Sequence, residues 1–573
     1  MNKFQINFSR TRIGGYHPFR ATLFALIIVW IVAAHTFGAV FTQFDNKYSL
    51  AEKYAAESIE GIVNRDGPQL LIAHSGKNWD AGYTFAWADI YRERYGIIFE
   101  NVPGFSDLFS RFRGSLKGLV VYDPKIDGTK CIALTLAGVD DLLPVDDGML
   151  GKYRGLLGAL PIKCDLRNRF KTSLEAYAWA LKGLIPRCNR RMADTPSGPD
   201  VDGVRVGNKG GYWGYDWVIS HRGVIFNLGL EYHDRLSFGK PIQGSKEQAD
   251  LYRRILAALE PPALLFGYGQ FENTWFALLG QYGHHYLFWG DNLSFHEQVK
   301  APSNPVRQKT HAPVTLDPQK YTVCFITSEG DTMKGPLPFW YGSWNDPRRG
   351  EAPLNWAINP SMHQFPAMLD YYYQNASAND YFVGMQVYNV EQMPNVDQFA
   401  PLLVDDMRQS DLAVLGDSTC IKPPSDAKRE AFYRGQHLLG VFGSSHQENG
   451  FQLFLSDGTP VLGMSSELDY WRHVIKGVDD KFFVKMENDS TQWPKLIKPL
   501  KEEIERVASA HNPPFVVVVF SNIHGFDRLC SLHADIAAAL DPTRFQIARL
   551  DDAFSLLRET AAGKKSAGIT LEH

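Results

Sequence analysis

Two carboxylates, Glu329 and Asp331, stand either side of Gly330 in the stretch Ser328-Glu-Gly-Asp-Thr332, directly after the apolar, β-branched run Val323 to Thr327. The run reads as a central strand, and the glycine permits a bend that aims both acids at one space. In α/β proteins ligands bind at the carboxyl ends of strands. The chemistry two such carboxyls can perform is cleavage of a glycosidic bond, one protonating the leaving oxygen while the other serves as base or nucleophile. The plainer alternative is an acidic turn that caps a helix N-terminus. Other polar residues grouped with the ends of predicted strands are Asn355, Asn359, Asp380, Asp417, His446 with Glu448, and His524 with Asp527. Of these, Asn355, Asn359, Asp380, His446 and His524, together with Trp356 and Tyr388, are the candidates for substrate binding. Each histidine could be acid, base or metal ligand, or simply a satisfied structural group. No His-Glu-x-x-His or Cys-x-x-Cys spacing points to a bound metal, and neither a metal nor a cofactor is expected.

The elements that would position these residues alternate between helix and strand. Helices are expected at 51–64, 79–95, 105–112 and 172–184, with strands at 69–73, 97–101 and 117–124. The Gly, Asp, Pro and Ser content of 192–213 suggests a long exposed loop, 217–228 a strand, 246–259 a helix and 263–269 another strand. Residues 301–319 hold four prolines and scattered charge, the composition of a linker. Beyond it, strands at 321–327, 354–358, 380–387, 412–415, 461–463 and 514–520 alternate with helices at 365–374, 395–409, 495–508 and 531–540. About seven strands separated by helices suggest a closed or nearly closed β/α barrel, with a doubly wound sheet as the alternative. The expected class is therefore α/β, with small N-terminal α/β domains and a C-terminal β/α-barrel-like domain. The domain boundaries are 50–160, 161–300, the linker 301–319, and 320–570.

At 573 residues the chain is too long for one core. Its formal net charge of −4 supplies no basic field for nucleic acid. The N-terminal tail, 1–20, is basic, and 21–44 is uncharged enough to be a signal peptide or a signal anchor, with cleavage conceivable after Ala34 or Gly38. Leu23 to Phe41 just meets the roughly 20 residues a membrane helix needs. The bulk of the chain is then extracytoplasmic, either secreted or membrane-anchored through 21–44 if that segment is uncleaved. Six cysteines are compatible with an oxidising compartment, Cys164 and Cys188 being the first pair to test. Asn292, Asn375 and Asn488 begin glycosylation sequons.

Several motifs, in order, resemble the GxGYxYP family of glycoside-hydrolase-like proteins. From Leu50 to Leu557 the resemblance rests on Glu57-Ser-Ile-Glu-Gly-Ile-Val-Asn-Arg-Asp-Gly-Pro68, Gly118-Leu-Val-Val-Tyr-Asp-Pro124, Thr135-Leu-Ala-Gly138, Asp165-Leu-Arg-Asn-Arg-Phe170, Tyr215-Asp-Trp217 and Asp291-Asn-Leu-Ser294. In the C-terminal part it rests on Ser328-Glu-Gly-Asp-Thr332, Asn355-Trp-Ala-Ile-Asn-Pro360 and Asn379-Asp-Tyr-Phe382. The resemblance implies a hydrolase whose ligand lies over the turn at 328–332. The name-giving motif is degenerate, since Tyr388-Asn-Val-Glu-Gln-Met-Pro394 keeps only its proline. Loss of its glycines and tyrosines removes close backbone approach, stacking surfaces and phenolic donors.

The reading that results is a glycoside hydrolase acting on a carbohydrate with Asp331 and Glu329. Its rivals are an inactive carbohydrate-binding relative and a metal-dependent carbohydrate esterase or deacetylase. Glu272 and Asn292 are assigned to packing of the middle region.

Overall fold

The computed structural model describes residues 38–74, 82–196, 214–230, 245–267, 272–287, 290–328, 330, 332–333, 335–386, 396–417, 427–434, 436–447, 449–465, 494–521 and 528–566. Four sheets organise them. The first contains β1 (Gly38–Phe44), β2 (Leu70–His74) and β3 (Ile98–Asn101) in the order β2-β1-β3. The second contains β4 (Gly118–Val121), β5 (Leu142–Val145) and β6 (Ile162–Asp165), with β4 central. The third contains β7 (Met192–Thr195), β8 (Val224–Ile225), β9 (Leu264–Gly267) and β10 (His285–Leu287) in the order β10-β9-β7-β8. Every pairing in these three sheets is parallel, and helices supply the crossovers.

The fourth sheet is the largest. It holds β11 (Tyr321–Thr327), β12 (Leu354–Ile358), β13 (Asp380–Gln386), β14 (Val414–Asp417), β15 (Gly440–Gln447), β16 (Phe451–Phe454), β17 (Pro460–Ser465), β18 (Val516–Ser521) and β19 (Phe545–Ile547). Successive strands lie side by side from β11 through β15 to β17, and β18 then returns to pair with the free side of β11. Only β16 runs antiparallel. The sheet curls until β17 and β18 come within 8 Å of one another between Cα atoms. No ladder closes that seam; instead Gln452 of β16 donates to the Pro514 carbonyl at 3.2 Å and accepts from the Val516 amide at 3.1 Å. The result is a half-barrel of the kind the alternation predicts. Its strands are apolar on both faces, with Val323 to Ile326 and Val516 to Val519 all buried, as helices on the outside and packing within demand.

Some local expectations do not hold. Gly38–Phe44, the end of the segment read as signal or anchor, is the central strand of the first sheet, paired with both neighbours. Its buried Val40, Phe41 and Phe44 are apolar because the strand is a core strand. Among the described residues no helix is long and apolar enough to cross a membrane. Met192–Thr195 is the central strand of the third sheet where a loop was expected. Tyr215–Ser220 is a helix, buried from Tyr215 to Ile219, where the strand 217–228 is expected, an ambiguity inherent in short runs that are buried all round. Cys164 and Cys188 are free thiols, and Cys188 Sγ donates instead to the Leu184 carbonyl at 3.3 Å. Asn292 is 3% exposed, so it cannot accept a glycan. The proline-rich stretch 301–319 is a strap rather than a spacer. Its Gln308 side chain bonds Phe382 and Asp411, and Val306 and Leu316 are buried.

Candidate functional site

Because the strands of the half-barrel, β16 excepted, are parallel, their carboxyl ends share one edge. Ser328 follows β11 there, and its amide donates to the Ser521 carbonyl at the end of β18, 2.8 Å away. Thr327 Oγ1 accepts from the Ala357 amide of β12 at 2.9 Å. Gly330 then presses against β12 so closely that a Cβ there would lie 2.4 Å from Ala357 Cβ and 2.6 Å from its carbonyl carbon. The absence of a side chain is what lets the turn lie down on the strand. Thr332 and Met333 beyond it are buried.

Asn359, just past β12, caps the short helix Pro360–Gln364 by accepting from the Ser361 amide at 2.9 Å. Asp417 ends β14, fully buried, and accepts the Tyr433 hydroxyl. Ser521 Oγ lies 2.8 Å from His533 Nε2, and the His533 ring stacks on Phe325 at 4.3 Å. Burial drives the His533 pKa down to about 3, so the ring is neutral. The described part of this edge is thus a floor of hydroxyl, amide and carboxylate groups.

Of the residues singled out in the sequence, Glu329, Asp331, Tyr388 and His524 lie outside the described residues, as do Glu448 and Asp527, and so does the side chain of His446 on β15. The structure does not bring Asp380 to this edge. It begins β13 at the opposite end, where it accepts from Trp356 Nε1 at 2.8 Å and the Ser377 amide at 2.7 Å, and pairs with Arg349. Trp356 is buried against Trp344, with no face open for stacking. Asn355 sits within β12, its amide donating to the Phe325 carbonyl and its oxygen accepting from Leu550, both at 2.8 Å. β19 pairs with β11 only at Tyr321–Val323, and β12 pairs with it only at Ile326, so Asn355 ties the two strands where they splay.

A second concentration of polar groups has no counterpart among the sequence candidates. Glu57 and Glu60 on the helix Leu50–Val63, Asp194 on β7, Asp216 on the helix Tyr215–Ser220 and Asp291 before the helix Leu293–Gln298 converge at the junction of the first and third sheets. All five are buried. Tyr83 donates to Asp291, and the Ser294 amide donates to Asp216 at 2.8 Å. Burial, then the charge of Asp216, pushes Asp291 up to about 7, while burial raises Asp216 to about 6 against the pull of Ser294. Glu57 and Glu60 are raised further by burial and by Asp216, and Asp194 by burial. His74 Nε2 approaches Glu57 Oε1 at 3.3 Å, but burial holds its pKa near 3, so the neutral ring forms no ion pair.

The array was legible in part. Glu57, Glu60, Asp216 and Asp291 belong to three separate motifs, and their convergence is the missing signal. Asn64 and Asn292 show how the convergence is built. Asn64 Nδ2 donates to Ser294 Oγ at 3.0 Å, and Asn292 Oδ1 accepts from the Ile72 amide of β2 at 2.7 Å. Asn292 thus serves packing, while the side chain of Glu272 lies outside the described residues.

Comparison with known proteins follows the same division. A family model described as "GxGYxYP putative glycoside hydrolase C-terminal domain" matches residues 319–558. Another, "GxGYxYP_N second domain", matches residues 116–188. The crystal structure of a protein from Bacteroides thetaiotaomicron, described as a "putative hydrolase", is similar with a TM-score of 0.69 over 92% of this chain and 95% of that chain. The two are 16% identical, so this likeness is one of fold. No curated protein matches the chain. With two matched regions in order covering more than half of the sequence, the chain belongs to the GxGYxYP family.

Proposed function

We propose that the protein is a hydrolase of glycosidic bonds whose catalytic carboxyls are Asp331 and Glu329. The observation that carries this reading is the anchoring of the residues around them. Ser328 is tied to β18, and Gly330 is pressed onto β12 at the carboxyl edge of a parallel half-barrel. Acids at 329 and 331 therefore leave the chain on either side of a fixed glycine. Such anchoring favours catalysis, because a carboxyl that transfers a proton must be held within hydrogen-bond reach of the leaving oxygen. Asn359 and Asp417 supply further polar groups along the same edge, and the family and neighbour descriptions point to hydrolysis. Purified protein should release reducing ends from an oligosaccharide panel, and Asp331→Asn should lower that rate at least about 100-fold. Full activity in Asp331→Asn and in Glu329→Gln would reject the assignment.

The degenerate Tyr388–Pro394 stretch favours a second reading, a carbohydrate-binding relative without turnover. Binding on a glycan array together with no product from any oligosaccharide would support it.

We further propose that residues 1–37 direct export. With 38–44 built into a sheet, the uncharged run left at 21–37 is at the lower limit of what a spanning helix requires and suits the apolar core of a cleaved signal. Cleavage after Ala34 would leave β1 whole, whereas cleavage after Gly38 would clip its first residue. N-terminal sequencing of protein recovered from outside the cytoplasm checks this, and an intact Met1 would overturn it.

A further inference from the structure

We propose that the buried acid array of Glu57, Glu60, Asp194, Asp216 and Asp291 binds the ammonium group of an amine-bearing ligand such as an amino sugar. The first support is unmet hydrogen bonding. Oε2 of Glu57, both oxygens of Asp194 and Oε1 of Glu60 have no hydrogen-bond partner, although the three residues are at most 3% exposed. Buried acceptors are ordinarily satisfied, and leaving several orphaned in one place is costly unless a ligand fills them.

The second support is topology. β1 lies between β2 and β3, and β7 lies between β8 and β9, so in both sheets the chain reverses its direction of travel at the first strand. Ligands of open parallel sheets sit at the carboxyl ends of the strands where that reversal occurs. Asp194 is the penultimate residue of β7, and His74, in contact with Glu57, is the last residue of β2. Asp194 therefore lies at the reversal point of the third sheet, and His74 brings Glu57 to the carboxyl edge of the first. The residues in contact with the array that keep some exposure are His74 and Tyr83.

Charge and shape select the ligand. The lysines that face the array are Lys53 and Lys130, and Lys130 Nζ is already committed to Asp127 at 2.6 Å. Five carboxyls thus outnumber the two lysines that face them. Among the described residues no three acidic, histidine or cysteine side chains are close enough together to hold one metal ion. A primary ammonium is held by as few as two such acceptors, whereas a metal ion needs three or more. Without the ligand, burial and mutual repulsion keep protons on these carboxyls, and the ammonium would displace them.

The test is calorimetric titration of the full chain with glucosamine tetramer and, in parallel, with its N-acetylated counterpart, which keeps the shape and loses the charge. The amine should bind at least roughly tenfold more tightly and should release protons, read from the dependence of the heat on buffer ionisation. Asp194→Asn and Glu60→Gln should each weaken it about tenfold while the melting temperature shows both variants folded. Equal affinity for the two tetramers, no binding of either, or binding without proton release would overturn the proposal. Hydrolysis at Asp331 does not enter this measurement, so its outcome and that of the glycosidase reading are separable.

Discussion

Asp291 carries a pH signature that stability measurements can read. Its pKa of about 7 in the folded chain, against 3.8 ordinarily, means that the folded state holds a proton that the unfolded state has lost. That contribution to stability is complete below about pH 3.8 and disappears as the pH rises through about 7. For a buried group the amount is on the order of 4 kcal/mol. Asp216, raised to about 6, loses its contribution over a window that closes earlier. Denaturation followed from pH 4.5 to 8 should therefore show stability falling with pH, and Asp291→Asn should flatten the slope. A slope unchanged in Asp291→Asn would show that the carboxyl is not protonated in the fold. Gly330 is the other position decided by a single atom. Gly330→Ala places a methyl 2.4 Å from Ala357 Cβ, so it should cost about 1–3 kcal/mol and reduce any hydrolytic rate by shifting the turn. Chemical denaturation and the oligosaccharide assay measure the two effects.

At the scale of elements, Arg65 joins three parts of the N-terminal half. Its guanidinium donates to the Ser220 carbonyl at 3.0 Å, to the Ile219 carbonyl at 2.9 Å and to the Gly138 carbonyl at 2.6 Å, and it pairs with Asp141. The carbonyls lie at the ends of the helices Asp127–Asp140 and Tyr215–Ser220, where a cation also meets the negative ends of both helix dipoles. Arg65 forms one wall of a cavity of about 540 Å³, to which Arg222, His221 and Glu297 also belong. Arg65→Met should destabilise by about 1–3 kcal/mol, because the Ser220 and Gly138 carbonyls lose this donor while Asp141 keeps Lys117 at 2.7 Å. Arg65→Lys should recover only part of that, since one ammonium cannot replace a planar fork. A loss below about 1 kcal/mol for Arg65→Met would show that water satisfies these groups.

For the molecule as a whole, the first strand is the decisive piece. β1 pairs with β2 through Val40–Phe44 and with β3 through Gly38–Phe41. A chain beginning after Phe44 would lose the centre of that sheet and the base on which Glu57 and His74 sit. It should be recovered only in aggregates, whereas a chain beginning at His35 should fold. Circular dichroism and gel filtration of the two distinguish them, and a folded, monodisperse shorter form would contradict the role given to β1. The half-barrel has a weaker point at the seam between β17 and β18. Gln452→Leu removes both bonds across it and leaves the Val516 amide unsatisfied, a loss of about 1–3 kcal/mol.

Helical periodicity in 51–64 and the apolar runs at 321–327 and 514–520 were enough to predict alternating α/β elements and a C-terminal β/α barrel, because those signals are local and repeat along the chain. Gly330 could likewise be read as the bend between two acids. Local pattern failed where burial is uniform. Tyr215–Ile219 is buried on every side, Asp216 included, and β1 continues an apolar run because it is a core strand. It failed again where a residue's partner is distant. Asp380 looked like a site residue until Arg349 and Trp356 accounted for its oxygens. Glu57, Asp216 and Asp291 lie in motifs far apart along the sequence, and nothing in the spacing of one motif encodes its distance from another. Only the packing of the first and third sheets brings them together, and with that proximity come the raised pKa values and the orphaned oxygens that make them a site.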